Sequence, residues 1–156
     1  MNRKQSLYEQ SRNELEALLE GTENRLAVMA TINGVLSTNM PHYFWTGFYI
    51  AHGRRLIVGP YQGSVGCLYI DFGRGVCGTA AEERKTQIVE DVHLFPGHIA
   101  CDQRSQSEIV VPVFDRNDHL IAVFDVDSSE KGSFDETDRR YLEAIMAAFF
   151  GRRLTI

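Results

Sequence analysis

Residues 107–128, "SEIVVPVFDRNDHLIAVFDVDS", constrain the fold more than any other stretch. Two apolar, β-branched runs, "SEIVVPVF" and "HLIAVFDVDSS", flank a turn at Asp115-Arg116-Asn117-Asp118, so they predict neighbouring strands able to pair as an antiparallel hairpin. Asp125 and Asp127 are two apart and leave one face of the second strand, together with Ile121 and Val123. That face starts apolar and ends acidic. In a hairpin the start of the first strand lies beside the end of the second, which brings Glu108 level with Asp127. Three carboxylates are then expected at one open end of the ladder. Crowded like charges raise one another's pKa, which leaves a carboxylic acid able to give a proton near neutral pH, or to bind a cation. The plain alternative is a strand emerging into solvent, with Asp127 and Ser128 starting a turn. Pro112 has no amide hydrogen, so its strand is expected to be irregular there or close to an edge.

The flanking segments have other periods. From Lys4 to Leu19 the residues Leu7, Tyr8, Leu15, Leu18 and Leu19 recur at helical spacing, and Gly21 supplies a stop. A second helix is predicted from about Glu23 to Leu36, with Leu26, Met29, Ile32 or Asn33, and Leu36 on one side. "YFWTGFYIAHG" then alternates with period two: Phe44, Thr46, Phe48 and Ile50 face one way, Tyr43, Trp45, Gly47 and Tyr49 the other. A His52-Gly53 turn joins it to "RRLIVG". "CLYI" and "TQIVEDV" read as further strands, with a short helix starting near Val76 between them. Ser133 and Glu136 stand at capping-box spacing before a last helix, whose stripe is Tyr141, Leu142, Ile145, Met146 and Phe149. Helices at both ends of hairpin-linked strands predict an α+β fold, one antiparallel sheet covered by helices. A length of 156 residues fits a single domain: helices at 4–36, sheet and loops at 43–128, a closing helix at 134–150.

A net charge of −5, with basic residues only in short pairs such as Arg54-Arg55, Arg139-Arg140 and Arg152-Arg153, argues against a nucleic-acid partner. No run approaches the ~18 apolar residues of a membrane span, and the charged N-terminus has no apolar leader, so a cytoplasmic location is expected. Three cysteines, an odd number, fit a reducing compartment.

Those cysteines are Cys67, Cys77 and Cys101, and no two have C-x-x-C spacing. Cys101 lies in the loop "HLFPGHIACDQR", among His98, Asp102 and Arg104, where a thiolate could be steadied by the cation and stay reachable. Cys77, in "GRGVCGTAA", is expected at a helix N-terminus, which favours its thiolate. Cys67, on an apolar strand, reads as packing. Zinc bound by His98, Cys101, Cys67 and Cys77 is a further reading, although the spacings match no usual pair of knuckles. Chemistry, metal and inert packing thus remain open from the residues alone. Trp45 and Tyr49 share one face of their strand with Gly47 between them leaving space. They are either core or an aromatic wall for a small apolar group such as a thioether methyl.

Taken as a set, "GPYQG", "GRGVCGTA", "VEDVHLFPGHIACD", "SQSEIVVPV" and "VFDVDSS" resemble the free methionine-(R)-sulfoxide reductases, a family built on a GAF domain. The match runs from about Trp45 to Phe134. The resemblance implies a six-stranded antiparallel sheet, a homodimer, and free methionine sulfoxide as substrate. It implies Cys101 as nucleophile, Cys67 as the resolving thiol and Cys77 in an auxiliary part. It further implies Trp45 and Tyr49 as substrate wall, and Glu108, Asp125 and Asp127 as the acidic cluster. Glu108 and Asp127 would serve the leaving oxygen, and Asp125 would hold the ammonium or orient its neighbours. No bound cofactor or metal is implied, with thioredoxin as the reductant. Gly66 departs from the family pattern, where alanine is more usual. The competing reading is a GAF module that senses a small molecule without chemistry.

Overall fold

The computed structural model describes residues 1–155. Helices α1 (Arg3–Leu18) and α2 (Arg25–Asn39) come first, then strands β1 (Trp45–His52), β2 (Arg55–Gln62) and β3 (Tyr69–Asp71). Helix α3 (Gly75–Glu83), strands β4 (Gln87–Val89), β5 (Ser107–Phe114) and β6 (Leu120–Ser128), and helix α4 (Glu136–Phe150) complete the order. The strands form one α+β sheet in the order β3-β2-β1-β6-β5-β4, antiparallel at every neighbouring pair. Both expected hairpins are present, and β1 joins them by pairing with β6.

Alternation along the strands sends side chains into two cores. Phe48, Ile109, Val111, Phe124 and Val126 pack beneath α1, α2 and α4, against Tyr8, Ile32, Leu36, Leu142 and Phe149. Trp45, Tyr49, Leu56, Val110 and Val123 face the other way, towards Val76, Cys77, Ala80 and Ala81 of α3. With both faces covered, the central strands read as continuous apolar runs. Pro112 pairs with Val123 beyond the last β4 partner of β5, Val110, so β5 is an edge there as expected. Among the described residues no helix is long and apolar enough to cross a membrane.

Several local expectations are corrected. β1 begins only at Trp45, and the two residues before it reverse their predicted sides: Tyr43 packs on the three-helix core and Phe44 on the α3 side. In β6, Phe114 pairs with Leu120 while Val113 pairs with Ala122, so Ile121 is a bulged extra residue and turns to the three-helix face. The β1–β2 turn is Gly53-Arg54, one residue later than predicted, because His52 still pairs with Arg55. Leu18 and Leu26 are exposed: the buried stripe of α1 is Tyr8, Ser11 and Leu15, and Leu26 precedes the buried stretch Val28 to Leu36. No Ser133-Glu136 box forms. The cap of α4 is Asp135, which accepts from the amides of Thr137 and Asp138, while Asp138 accepts from the Asp135 amide. The Ser133 hydroxyl instead bonds to Ser128 and Glu130.

Asp138 also anchors the helical layer. It is fully buried and accepts from the Tyr8 hydroxyl at 2.6 Å and Lys4 Nζ at 2.7 Å, with His42 Nε2 at 2.9 Å. Burial opposes its charge, yet His42, Lys4 and Tyr8 hold its pKa down to about 2.

Candidate active site

The ladder builds an acidic floor. Glu108 pairs with Asp127 across β5–β6, as the hairpin predicts, and β1 places Gly47 opposite Asp125 and Trp45 opposite Asp127. The carboxylates do not emerge into solvent: Glu108 and Asp125 are each 5% exposed and Asp127 8%. Burial pushes Glu108 well above the usual carboxylate range, and Asp125 and Asp127 push it further. Asp127 is raised in the same way, by burial and then by Asp125. Burial also raises Asp125, but hydrogen bonding to Glu108, Cys77 and Asp127 pulls it back. Oδ1 of Asp125 is buried without a partner, a condition that costs free energy unless a donor arrives from outside the chain.

One wall is aromatic. The Trp45 ring stacks on Tyr61 at 5.1 Å and on Tyr49 at 5.9 Å, and its Nε1 donates to the Ser64 carbonyl at 2.8 Å. Gly47 does not leave open space, contrary to expectation. A Cβ there would stand 2.5 Å from the Trp45 ring and 2.5 Å from Tyr61 Cβ, so the missing side chain is what lets the two rings close over the strand. Burial and the neighbouring acids raise the Tyr49 phenol, which stays protonated.

The mouth is closed by two loops. Cys67 and Cys101 form a disulfide with Cα atoms 5.4 Å apart. Cys67 is not a strand residue, because β3 starts only at Tyr69, and that corrects its reading as packing. Cys101 is exposed, on the long loop between β4 and β5. Beside the disulfide, the Ser64 hydroxyl donates to Asp102 at 2.6 Å, a second tie between the same loops. Arg104, expected to steady a thiolate, is engaged by Asp102 at 2.8 Å and by the ring of Phe44. The Arg104 and Ser64 hydrogen bonds hold the Asp102 carboxyl far below its usual range.

Cys77 is the third residue of α3, as predicted, but its thiolate is not favoured. Burial pushes the thiol well up, and Asp125 and Glu108 push it further, overriding the short helix's amides. Its Sγ donates to Glu108 Oε2 at 4.0 Å. The four-ligand zinc set is not assembled, since Cys67 and Cys101 are bonded to each other. The group that does converge is Cys77, Glu108 and Asp125, with donor atoms within 4.8 Å of one another. A thiol and two carboxyls so placed are chemically suited to a cation, organic or metallic.

Walls, floor and mouth enclose a cavity of about 510 Å³, open space at its entrance included. All eight predicted site residues, Trp45, Tyr49, Cys67, Cys77, Cys101, Glu108, Asp125 and Asp127, meet here, seven on the cavity lining and Cys67 through its bond to Cys101. Sequence reasoning missed Ser105 and Arg74 on the lining, and it named His98 only beside Cys101 and as a zinc ligand. His98 reaches Glu108 with Nε2 3.8 Å from Oε1, and burial lowers its pKa, keeping it neutral. Ser105 hydrogen-bonds Asp127, and Arg74 stands at the start of α3. Proximity to Cys101 flagged His98, but nothing in its spacing pointed to Glu108.

A six-stranded antiparallel sheet of this order, with a cavity between the sheet and α3, defines the class of protein: residues 26–149 match the GAF domain family, to which the chain belongs. GAF domain-containing protein A of Dictyostelium discoideum is 44% identical over 144 residues, 92% of this chain and 90% of that protein. The free methionine-R-sulfoxide reductase of Escherichia coli is 40% identical over 144 residues, 92% of this chain and 87% of the enzyme. The X-ray structure of free methionine-R-sulfoxide reductase from Neisseria meningitidis in complex with its substrate superposes with a TM-score of 0.92 at 37% identity, covering 98% of this chain and 92% of that one. Within the GAF family, the chain belongs with the free methionine-R-sulfoxide reductases.

Proposed function

We propose that this protein reduces free methionine (R)-sulfoxide to methionine, with Cys101 as nucleophile and Cys67 as resolving thiol. The observation that carries the reading is a Cys67–Cys101 disulfide closing a cavity whose floor is three buried carboxyls. The kinship with named reductases supports the same substrate. Ordinary ligand binding requires no redox couple at the mouth of the site.

The reduced Cys101 attacks the sulfoxide sulfur. The S–O bond is heterolysed only if the oxygen is protonated as it departs, because an oxide anion is a very poor leaving group. Glu108 and Asp127, kept protonated by burial, supply that proton. The oxygen departs as water, leaving the two sulfurs joined in a sulfonium; water then attacks Cys101 Sγ, the S–S bond breaks, methionine leaves with its sulfur reduced by two electrons, and Cys101 remains as a sulfenic acid. The Cys67 thiol then condenses with it, forming the disulfide and releasing water. A dithiol of the thioredoxin kind reduces the disulfide by exchange, becoming a disulfide itself. Asp125 holds the substrate's ammonium with its free oxygen, and the stacked Trp45 and Tyr49 rings take the S-methyl group. A cytoplasmic homodimer is the setting this reading assumes.

The test is thioredoxin-coupled turnover on separated R and S forms of free methionine sulfoxide. Cys101→Ser abolishes reduction, while Cys67→Ser completes one turnover and then stalls. Wild-type speed in Cys101→Ser would overturn the mechanism. If sulfoxide consumes no thiol in the wild-type protein, the domain is a binding module.

A further inference from the structure

The three carboxyls of the floor are crowded without a fixed cation. Among the described residues, Glu108, Asp125 and Asp127 form no ion pair with a lysine or arginine, and the one basic group in reach is His98, 3.8 Å from Glu108. Arg104 is taken by Asp102, and Arg74 lines the cavity without pairing with any of the three. Buried acids ordinarily pair with a cation or coordinate a metal. An independent sign that a ligand belongs here is Oδ1 of Asp125, on a residue more than nine-tenths buried and lining the cavity, which has no hydrogen-bond partner.

A sulfur stands beside these acids. With Cys67 and Cys101 bonded to each other, Cys77 is the free cysteine, and its Sγ lies 4.0 Å from Glu108 Oε2. Donor atoms of Cys77, Glu108 and Asp125 all fall within 4.8 Å of one another. Zinc bonds a thiolate at about 2.3 Å and a carboxylate at about 2.1 Å, so tetrahedral ligands of these two kinds stand about 3.6 Å apart. The Cys77–Glu108 pair is thus within about 0.5 Å of bonding distance to a shared ion, and side-chain rotation closes the rest. His98, on the lining and already beside Glu108, supplies a fourth donor through its imidazole. The donor types select among cations. Magnesium and calcium take oxygen ligands, whereas a thiolate and an imidazole among carboxylates suit zinc.

We infer that the cavity floor binds one zinc ion through Cys77, Glu108, Asp125 and His98, and that the bound ion blocks the site. Cys77 gives up its proton on binding. This set contains neither Cys67 nor Cys101, so it persists when those two are oxidised. Metal binding stands independently of the reductase reading. The block rests on that reading, since zinc occupies the Asp125 oxygen assigned to the ammonium and the Glu108 carboxyl assigned to the leaving oxygen.

The test titrates untagged, oxidised protein with Zn²⁺ against a chromophoric chelator, and separately with Co²⁺. Wild type should take up one ion per chain. Cys77→Ser and Asp125→Asn should each weaken uptake at least roughly 10-fold. His93→Gln with His119→Gln, which removes the exposed imidazoles beside Asp91 and Asp115, should leave it unchanged. Cobalt should give thiolate-to-metal charge-transfer absorption, for which Cys77 is the one thiol remaining. That spectrum needs no variant, so it decides even where a substitution unfolds the chain. No uptake, uptake without that absorption, or equal displacement by Mg²⁺ overturns the inference. So does uptake undiminished in folded Cys77→Ser, which marks a surface site. In reduced wild type, zinc should slow the loss of thiols on adding free methionine sulfoxide, and a chelator should restore it. Equal slowing in Cys77→Ser, or none in wild type, overturns the block. Reduced protein that loses no thiol to sulfoxide without zinc overturns the reductase reading and leaves the metal site to the cobalt spectrum.

Discussion

Reducing the Cys67–Cys101 disulfide should lower stability by an amount set by the loop it closes. The two cysteines are 34 residues apart. The loop-entropy relation gives about 3.8 kcal/mol for that separation near room temperature. For a domain of this size each kcal/mol moves Tm by roughly 2–4 °C, so the ceiling is a fall of roughly 8–15 °C. The observed fall should lie below the ceiling, because the reduced native state regains freedom in two exposed loops then held by Ser64–Asp102 alone. Thermal melts at fixed pH, with and without a non-thiol phosphine reductant, measure the difference in wild type, Cys77→Ser, Cys67→Ser and Cys101→Ser. Wild type and Cys77→Ser should both shift on reduction. Cys67→Ser and Cys101→Ser should melt near the reduced wild-type temperature in either buffer. A shift below about 2 °C in wild type, or one lost in Cys77→Ser, refutes the reasoning.

Three further outcomes are expected. Asp138→Asn should melt below wild type at pH 7, because a carboxyl held from 3.8 down to about 2 contributes about 2 kcal/mol. That contribution is full above the unfolded value and lost as pH falls through the folded one, so the gap should close towards pH 2; a constant gap sinks the assignment. Glu108→Gln should lower kcat by roughly 10²–10⁴-fold if Glu108 gives the proton. It should also melt higher than wild type at alkaline pH, since a raised folded pKa means stability is lost as pH rises; unchanged kcat or a lower alkaline Tm contradicts this. Gly47→Ala drives a Cβ into Trp45 and Tyr61 and should cost about 1–3 kcal/mol while raising KM, read by denaturant melts and steady-state kinetics. Wild-type values for both would show that the rings yield freely.

The acidic floor was legible in the sequence because ladder geometry is strict: two strands with a defined turn fix which residues stand opposite, and Glu108 meets Asp127 as the pattern requires. Where one residue is inserted, the same reasoning fails from that point outward, as at Ile121, whose bulge turns it to the other face. Cys67 was misread for a related reason. "CLYI" has strand composition, but the ladder with β2 starts only at Tyr69; Leu68 still accepts from the Val58 amide of β2, and Cys67, one residue further out, is bonded to Cys101. The cysteine pairing itself was beyond spacing, since loops 34 residues apart are brought together by the whole sheet. For the same reason Arg74, one charged residue in a glycine-rich turn, carried no signal until α3 was seen to start at the cavity wall.

The placement of the thiols follows from a conflict within the chemistry. A nucleophilic sulfur must lose its proton near neutral pH, whereas the group that protonates the departing oxygen must keep one. Both cannot share one environment. Burial and negative neighbours raise carboxyl and thiol pKa values alike, as Glu108 and Cys77, 4.0 Å apart on the floor, demonstrate. A nucleophile at position 77 would therefore be silenced by the acids to which the proposed mechanism gives the leaving oxygen. Cys101 instead rides an exposed loop at the mouth and reaches the cavity from the solvent side. In the proposed reductase cycle the same exposure would leave an oxidised Cys101 open to Cys67 and then to an external dithiol, which a sulfur on the floor would not be. The proposed mechanism thus calls for a polar, glycine- and proline-containing loop beside the acid floor, because a segment outside the packed sheet can bring a thiol near those carboxyls without sharing their burial.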